Sequence, residues 1–443
     1  MIIKPPQWMS MFSPDFFKKA LASGALRDLI KHADKDYVYW DKFKHFPIPE
    51  GFKSEEAWAF LKFTRTSTSE KSPIFSLRNN SFSFGITKTM FQKLSYIDSN
   101  TSGFISTDLG RPTESQKAQM IISSLTEEAI ASSQIEGANT SRKVAKEMLL
   151  SKRKARTRDE QMIVNNYLVM QRLMDWKELD LSKNMLLEIQ KNITEGTLDD
   201  PKDAGKYRTD NDGIHIMNRI TGEIVFTPPN EAFVNKELDR LIKYANESEN
   251  IENFVHPVIK ACILHFWIAY LHPFVDGNGR TARAIFYWYL LKRNYWMFQY
   301  LSVSRIIKRS KYKYDASYLY AELDENDLTY FLSYKLEVIV NAILDFVNHY
   351  KEKIEHEKLV KKLTVDIKGD FNARQISLLQ YLNANRESTI DILTYQSKNA
   401  VAYQTARVDL LHLEEKDLLQ RMNNGKKFVF IPNTSGIKKL LEG

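Results

Sequence analysis

Twelve consecutive residues, HPFVDGNGRTAR, place an imidazole, a carboxylate, an amide and two guanidinium groups around a pair of glycines. Gly277 and Gly279 carry no side chain, so backbone amides there can approach a ligand closely. A helical pattern resumes at Asn278, in NGRTARAIFYWYLL, which puts those amides at a helix start, where unsatisfied N–H groups and the helix dipole favour an anion. Arg280 and Arg283 are three residues apart, so they share a helical face and can both turn towards phosphate oxygens. Asp276 is a hard oxygen ligand of the kind that holds Mg²⁺ against phosphates. His272 has a side chain whose ordinary pKa lies near neutrality, which suits a general base. The chemistry that these types describe together is activation of a hydroxyl beside a bound phosphate chain. The G-x-x-x-x-G-K-[ST] spacing of a Walker loop is absent, so the anion site is built another way.

The elements that must hold this stretch follow from the flanks. An apolar run, ILHFWIAYL (263–271), leads into it and reads as a buried helix; it is too short for a bilayer, which takes roughly 20 residues. The chain has 443 residues, 43% of them hydrophobic, enough for two or three domains with real cores. Its net charge of +8, from 63 Lys and Arg against 55 Asp and Glu, permits anionic partners without demanding them. The single cysteine, Cys262, excludes an internal disulfide framework and fits a reducing compartment. The expectation is a soluble, cytoplasmic protein with no membrane partner.

Residues 1–110 are aromatic-rich, with some strand character, and read as an N-terminal subdomain. From Glu114 to about Ala245 the pattern is helical, and Gly137 is a plausible stop for the helix in SQKAQMIISSLTEEAIASSQIEG. GIHIM and EIVFT flank the turn NRITG and read as a β-hairpin closed by Pro228-Pro229. Helices resume at about 231–245, 254–271, 278–293 and 327–356. Residues 346–371 read as a connecting helix, and 372–443 as three short helices and a hairpin, which makes a winged helix-turn-helix the best guess.

The twelve-residue stretch resembles the signature of the Fic family, H-x-F-x-[D/E]-G-N-G-R-x-x-R, at every defined position: His272, Phe274, Asp276, Gly277, Asn278, Gly279, Arg280 and Arg283. The resemblance implies a mainly α fold, with a Fic helical core over 111–345 and a β-hairpin flap. It implies transfer of AMP from ATP, with Mg²⁺, to a Ser, Thr or Tyr hydroxyl of a target protein. Carried over, His272 would deprotonate the hydroxyl, and Asp276 would hold the metal. Gly277, Asn278 and Gly279 would form the anion hole, the two arginines would hold the outer phosphates, and Phe274 would anchor the loop. GKYR (205–208) resembles the lead-in to the flap, and Ile214, His215, Ile216, Ile224, Val225 and Phe226 would be the flap strands that align a target segment.

A second resemblance lies in SSQIEG. Ser132, Glu136 and Gly137 match the family's inhibitory pattern, [S/T]-x-x-x-E-[G/N], on a helix near 120–137. This resembles the class II arrangement, with the brake N-terminal to the motif. Glu136 would pair bidentately with Arg283 and take it from the γ-phosphate. In some relatives the same glutamate serves removal of AMP, and others transfer a different nucleotide or phosphate group. Self-modification and a homodimer are further expectations. A different class of function, a DNA-binding regulator, rests on QTARVDLLHL as a recognition helix, but Arg407 is nearly alone there beside Asp409, Glu414 and Glu415, with Lys426 and Lys427 in the hairpin, so a protein-interaction or self-association module is the favoured reading of this unit. The basic cluster 141–158 and the histidines at 256 and 265 read as solvated or structural.

Overall fold

The computed structural model describes residues 2–101, 114–217, 222–248, 251–252, 254–366, 371–384, 388–424 and 427–436. The chain is mainly helical and divides into two compact units, one of Met1–Leu149 with Lys154–Phe346 and the other of Leu150–Arg153 with Val347–Gly443. No described helix is long and apolar enough to cross a membrane.

The first unit opens with α1 (Pro14–Ala22), α2 (Gly24–Lys35), α3 (Trp40–Phe43) and α4 (Ser54–Ser67), then the hairpin β1 (Glu70–Phe75) and β2 (Ser81–Phe84), and α5 (Lys88–Thr101). Next come α6 (Glu114–Ile135), α7 (Arg142–Leu150), α8 (Arg158–Trp176) and α9 (Lys183–Thr194). A second hairpin, β3 (Ile216–Met217) with β4 (Ile224–Phe226), precedes α10 (Glu231–Asn246), α11 (Pro257–Leu271) and α12 (Asn278–Lys292). Then follow α13 (Val303–Arg309), α14 (Lys311–Leu323) and α15 (Thr329–Asp366).

The apolar run of the sequence is α11. Apolar residues lie all round it, so it has no solvent face and is buried nearly from end to end. Pro257 at its first turn and the His256 side chain, which accepts a hydrogen bond from the Val258 amide, start it; His272, in left-handed conformation, ends it. α11 packs along α12, which is buried almost as completely, and α6, α8 and α9 enclose α12. Two consecutive fully buried helices have a single short turn between them, and that turn is the motif.

The N-terminal helices are fixed to this core by buried charge. Lys62 of α4 reaches Asp324 at 2.9 Å and Asp327 at 3.5 Å, in the turn between α14 and α15. Tyr37 donates to Asp327, Arg65 pairs with Asp34 and donates to the Tyr330 hydroxyl, and Tyr39 stacks on Tyr320 at 3.9 Å. Burial lowers the pKa of Lys62, but the two aspartates more than offset it, and the ammonium is held charged above its ordinary range.

The second unit carries α16 (Ala373–Ala384), α17 (Ile392–Asn399), α18 (Tyr403–Glu415) and the antiparallel hairpin β5 (Leu419–Asn424) with β6 (Lys427–Pro432). Its own core gathers Ile376, Leu379, Leu410, Leu413 and Phe430. Asp409 of α18 is turned inward, accepting from Asn372, Arg374 and Tyr395. Lys426 lies outside the described residues.

Replacing Lys62 by Ala would leave two buried carboxylates without their cation, and a loss of about 3–5 kcal/mol is expected in denaturant unfolding. A loss below about 1 kcal/mol, the value of an exposed pair, would show that this network does not anchor the N-terminal helices.

Candidate active site

The turn between α11 and α12 is built so that its backbone cannot relax. His272 has φ +48° and Gly277 φ +89°. A Cβ at Gly277 would meet Thr194 Cγ2 at 2.9 Å, so both conformation and space demand glycine there. Asn278, expected in the anion hole, uses its side chain as a strut: Oδ1 accepts from the Phe274 amide and Nδ2 donates to the Phe274 carbonyl, at 2.9 and 2.7 Å. Phe274 is fully buried and its ring stacks on Tyr207 at 5.4 Å.

Arg208 closes the turn from outside. Its Nε donates to the His272 carbonyl at 2.6 Å, its Nη2 to the carbonyls of Pro229 and Leu271, and its amide to the Pro273 carbonyl. The segment GKYR was legible only as a lead-in; the clamp is a tertiary fact. Gln190 of α9 was not singled out at all. It donates to the Asp276 carbonyl and accepts from the Gly205 amide, joining the turn to that same segment.

His272 is half-buried, and its pKa falls to about 4. Burial is the leading cause, with the Ala269 carbonyl and the Glu136 carboxylate pulling it partly back. The ring is therefore neutral at pH 7, the form that accepts a proton. Asp276 accepts from the Gly277 amide at 2.6 Å and pairs with Arg280 at 3.1 Å, while its side chain stays 45% exposed. Arg280, expected to hold outer phosphates beside Arg283, is hydrogen-bonded within the loop. Nη2 meets Asp276, Nη1 donates to the Ile193 carbonyl at 3.0 Å, and the side chain is fully enclosed. A three-residue spacing puts two residues on one helical face but not at one depth, and α9 captures the first.

Arg283 meets the end of α6. Nε donates to Ser132 Oγ at 2.7 Å, and Nη2 donates to the Ser132 carbonyl at 3.0 Å and to Glu136 Oε1 at 2.9 Å. The bidentate Glu136–Arg283 fork expected from the sequence is thus divided, with Ser132 taking one prong. Ser132 is buried against α12, so its hydroxyl reaches Nε first. Burial raises the pKa of Glu136, but the Arg283 and Arg280 charges and the Arg283 hydrogen bond outweigh it, and the carboxyl is held below its ordinary range. Gly137, at φ +105°, turns the chain away after the helix. A Cβ at Gly279 would clash with the Glu136 carboxylate, whose Cδ would lie 2.9 Å from it. The carboxylate therefore rests on the bare backbone at the start of α12, where an incoming anion would sit.

The expected hairpin is present but shorter than the sequence pattern. Ile216 pairs with Phe226 and Met217 with Ile224, while Ile214 and His215 precede the strand. Val225 is exposed, and Phe226 turns back to Tyr270 at 5.7 Å. Most of the NRITG turn, residues 218–221, lies outside the described residues. His256 caps α11 and meets Asp98, and His265 bonds to the Tyr314 hydroxyl, so both are structural.

Residues 180–290 match the model of the Fic/DOC family. The chain carries a domain of the Fic family. It is 28% identical over 106 residues to protein adenylyltransferase fic-1 of Caenorhabditis elegans, covering 24% of this chain and 18% of that protein. It is 25% identical over 119 residues to protein adenylyltransferase Fic of Drosophila melanogaster, covering 27% of this chain and 22% of that protein. The matches therefore span a fifth or so of the curated relatives' own lengths. Among solved structures, Fic-1 (aa134–508) from C. elegans superposes with a TM-score of 0.52 at 17% identity, over 76% of this chain and 92% of that one, a likeness of fold. The Fic domain match ends within α12, and it contains the whole motif but not α6.

The depressed imidazole pKa has two measurable consequences. In a pH titration followed by NMR, His272 should titrate near pH 4, and a value near 6.5 would show a solvated ring. Because the unfolded histidine binds its proton first, stability should fall as pH drops through the window from about 6.5 to 4.

Proposed function

We propose that this chain transfers AMP from ATP to a Ser, Thr or Tyr hydroxyl of a protein, and that Glu136 restrains it. The observation that carries this reading is the pairing of a neutral, half-buried His272 with an Arg283 already held by Ser132 and Glu136 above the Gly279 backbone. Two curated relatives named as protein adenylyltransferases support the same class.

In this reading the target hydroxyl gives its proton to the His272 imidazole as its oxygen bonds to the α-phosphorus. The bond from that phosphorus to the bridging oxygen breaks, and pyrophosphate leaves. Amides at the start of α12 stabilise the phosphate charge, and Arg283, freed from Glu136, binds the outer phosphate. Asp276 fits a Mg²⁺ ion, since its carboxylate is partly exposed beside the anion site and phosphates complete such a cation's oxygen shell. When bound, the ion would neutralise phosphate charge. Arg280 and Asn278 act here by fixing the loop. The β3–β4 hairpin presents the target segment to His272 by strand pairing, with Met217, Ile224 and Val225 exposed for it. Glu136, with its carboxylate in the path of the outer phosphate, restrains transfer; removal of AMP would instead use a water positioned by Glu136, whose oxygen bonds to the phosphorus as the protein hydroxyl oxygen leaves and takes a proton.

A second reading concerns the C-terminal unit. We read the three helices and the hairpin after them as a winged helix, a reading supported by Gln404, Thr405 and Arg407, which are exposed at the start of α18 after the tight turn at Ala400. Duplex DNA binding by this face predicts full-chain affinity that falls with salt and is weakened in an Arg407→Ala variant; unchanged binding in that variant would remove the reading.

The main test is intact-mass spectrometry after incubation with ATP and Mg²⁺. Glu136→Gly should gain AMP on itself or on added protein, wild type little, and Glu136→Gly with His272→Ala none. Transfer that survives loss of His272 would exclude it as the base, and equal transfer by wild type and Glu136→Gly would exclude the brake.

A further inference from the structure

Two turns before Glu136, α6 carries a buried glutamate. Glu128 is 1% exposed, and no role in the chemistry uses it. Its carboxylate is surrounded by donors from two other segments. Tyr287 of α12 donates to Oε2 at 2.9 Å, and the Ser304 amide donates to the same oxygen at 2.9 Å. The Ser302 hydroxyl reaches it at 3.2 Å, and the Ser304 hydroxyl donates to Oε1. Tyr287 is one turn beyond Arg283 on α12. The Val303 amide donates to its hydroxyl, so α6, α12 and the start of α13 meet at one buried carboxylate.

The neighbouring glutamate makes a useful contrast. Glu127 pairs with Arg142 of α7, an arginine that is 62% exposed. That contact joins α6 to a surface helix, whereas Glu128 joins it to the helix bearing the motif. Lower on α6, Gln134 accepts from Lys308 of α13, which adds an exposed contact along the same seam.

We infer that Glu128 is the positioning residue of the brake: its buried contacts with Tyr287, Ser302 and Ser304 fix α6 against α12 so that Ser132 and Glu136 come to Arg283. This rests on the reading of Glu136 as the brake. The physical reason is the steepness of helix registration. Glu136 follows directly on the last residue of α6, eight positions and about 12 Å beyond Glu128 along the helix axis. A small tilt or slide at the buried end therefore carries the Glu136 carboxylate out of reach of Arg283. Several donors converge on Glu128, including the amide of Ser304, and charge-assisted bonds of this kind are about twice as strong as neutral ones. Release would act at the Ser302–Ser304 segment: a partner that shifts it withdraws the brake from Arg283.

The test uses the full chain with Glu128→Gln, Glu136→Gly, the double variant, and Glu127→Gln as control, with AMP incorporation as the readout. Glu128→Gln should raise transfer about tenfold, the factor that loss of one charge-assisted bond gives a two-state balance. In the Glu136→Gly background it should add nothing, because there is no brake left to release. Glu127→Gln should leave transfer at the wild-type level. A Glu128→Gln variant as quiet as wild type, while Glu136→Gly is active, would overturn the inference. So would an equal loss of activity in both backgrounds, the mark of a merely structural residue. Amide exchange supplies a readout that does not need transfer at all. Glu128→Gln should speed exchange over residues 129–136 more than over α8, and unchanged protection there overturns the inference even if Glu136→Gly shows no activity.

Discussion

A buried guanidinium cannot lose its proton, so it must be given partners, and Arg283 is such a group at the centre of the Fic domain. Its partners come from α6, more than a hundred residues earlier in the chain. Arg283 thereby ties together two helices that lie far apart in the chain, and the Glu136 carboxylate it holds rests on the bare backbone at Gly279. Any anion that came to that place would have to displace a carboxylate already paired with Arg283.

The turn between α11 and α12 meets a different constraint. Two helices with no solvent face bring their ends together over a few residues, and their terminal carbonyls and amides need partners. Arg208 supplies donors to the carbonyls at the end of α11, Asn278 closes the loop on itself through Phe274, and Arg280 reaches across to the end of α9. Side chains that read as ligand-binding groups thus act in part as scaffold. That leaves His272 held by its backbone, with a ring free to accept a proton. Desolvation keeps it neutral, so the same burial that fixes the ring also sets its protonation.

Charge does similar work away from the site. Lys62, Asp324 and Asp327 are buried together, and the aspartates belong to the turn joining α14 to α15. Glu325 and Asn326 in that turn are both left-handed, a conformation that needs such anchoring on either side. The N-terminal helices are in this way part of the same unit as the motif. Glu128 and its hydroxyl donors likewise join α6 to α12 and to the segment at the start of α13.

By itself the sequence determined the local chemistry. The spacing of His272, Asp276, Gly277, Gly279 and Arg283 is contained in one turn and one helix start, where neighbours in sequence are neighbours in space. For the same reason the helix after Asn278, the buried helix before His272 and the stop at Gly137 were legible. The tertiary structure decided what each polar group touches. Arg280 and Arg283 look equivalent at three-residue spacing, yet the end of α9 takes one and α6 takes the other. Glu136 was expected to form a fork with Arg283, and Ser132 intercepts one prong. Arg208, Gln190 and Glu128 carry no local signature, because their partners lie 64, 86 and 159 residues away. Hydrogen-bond partners across such separations depend on how whole helices pack, and periodicity within one segment holds no record of that.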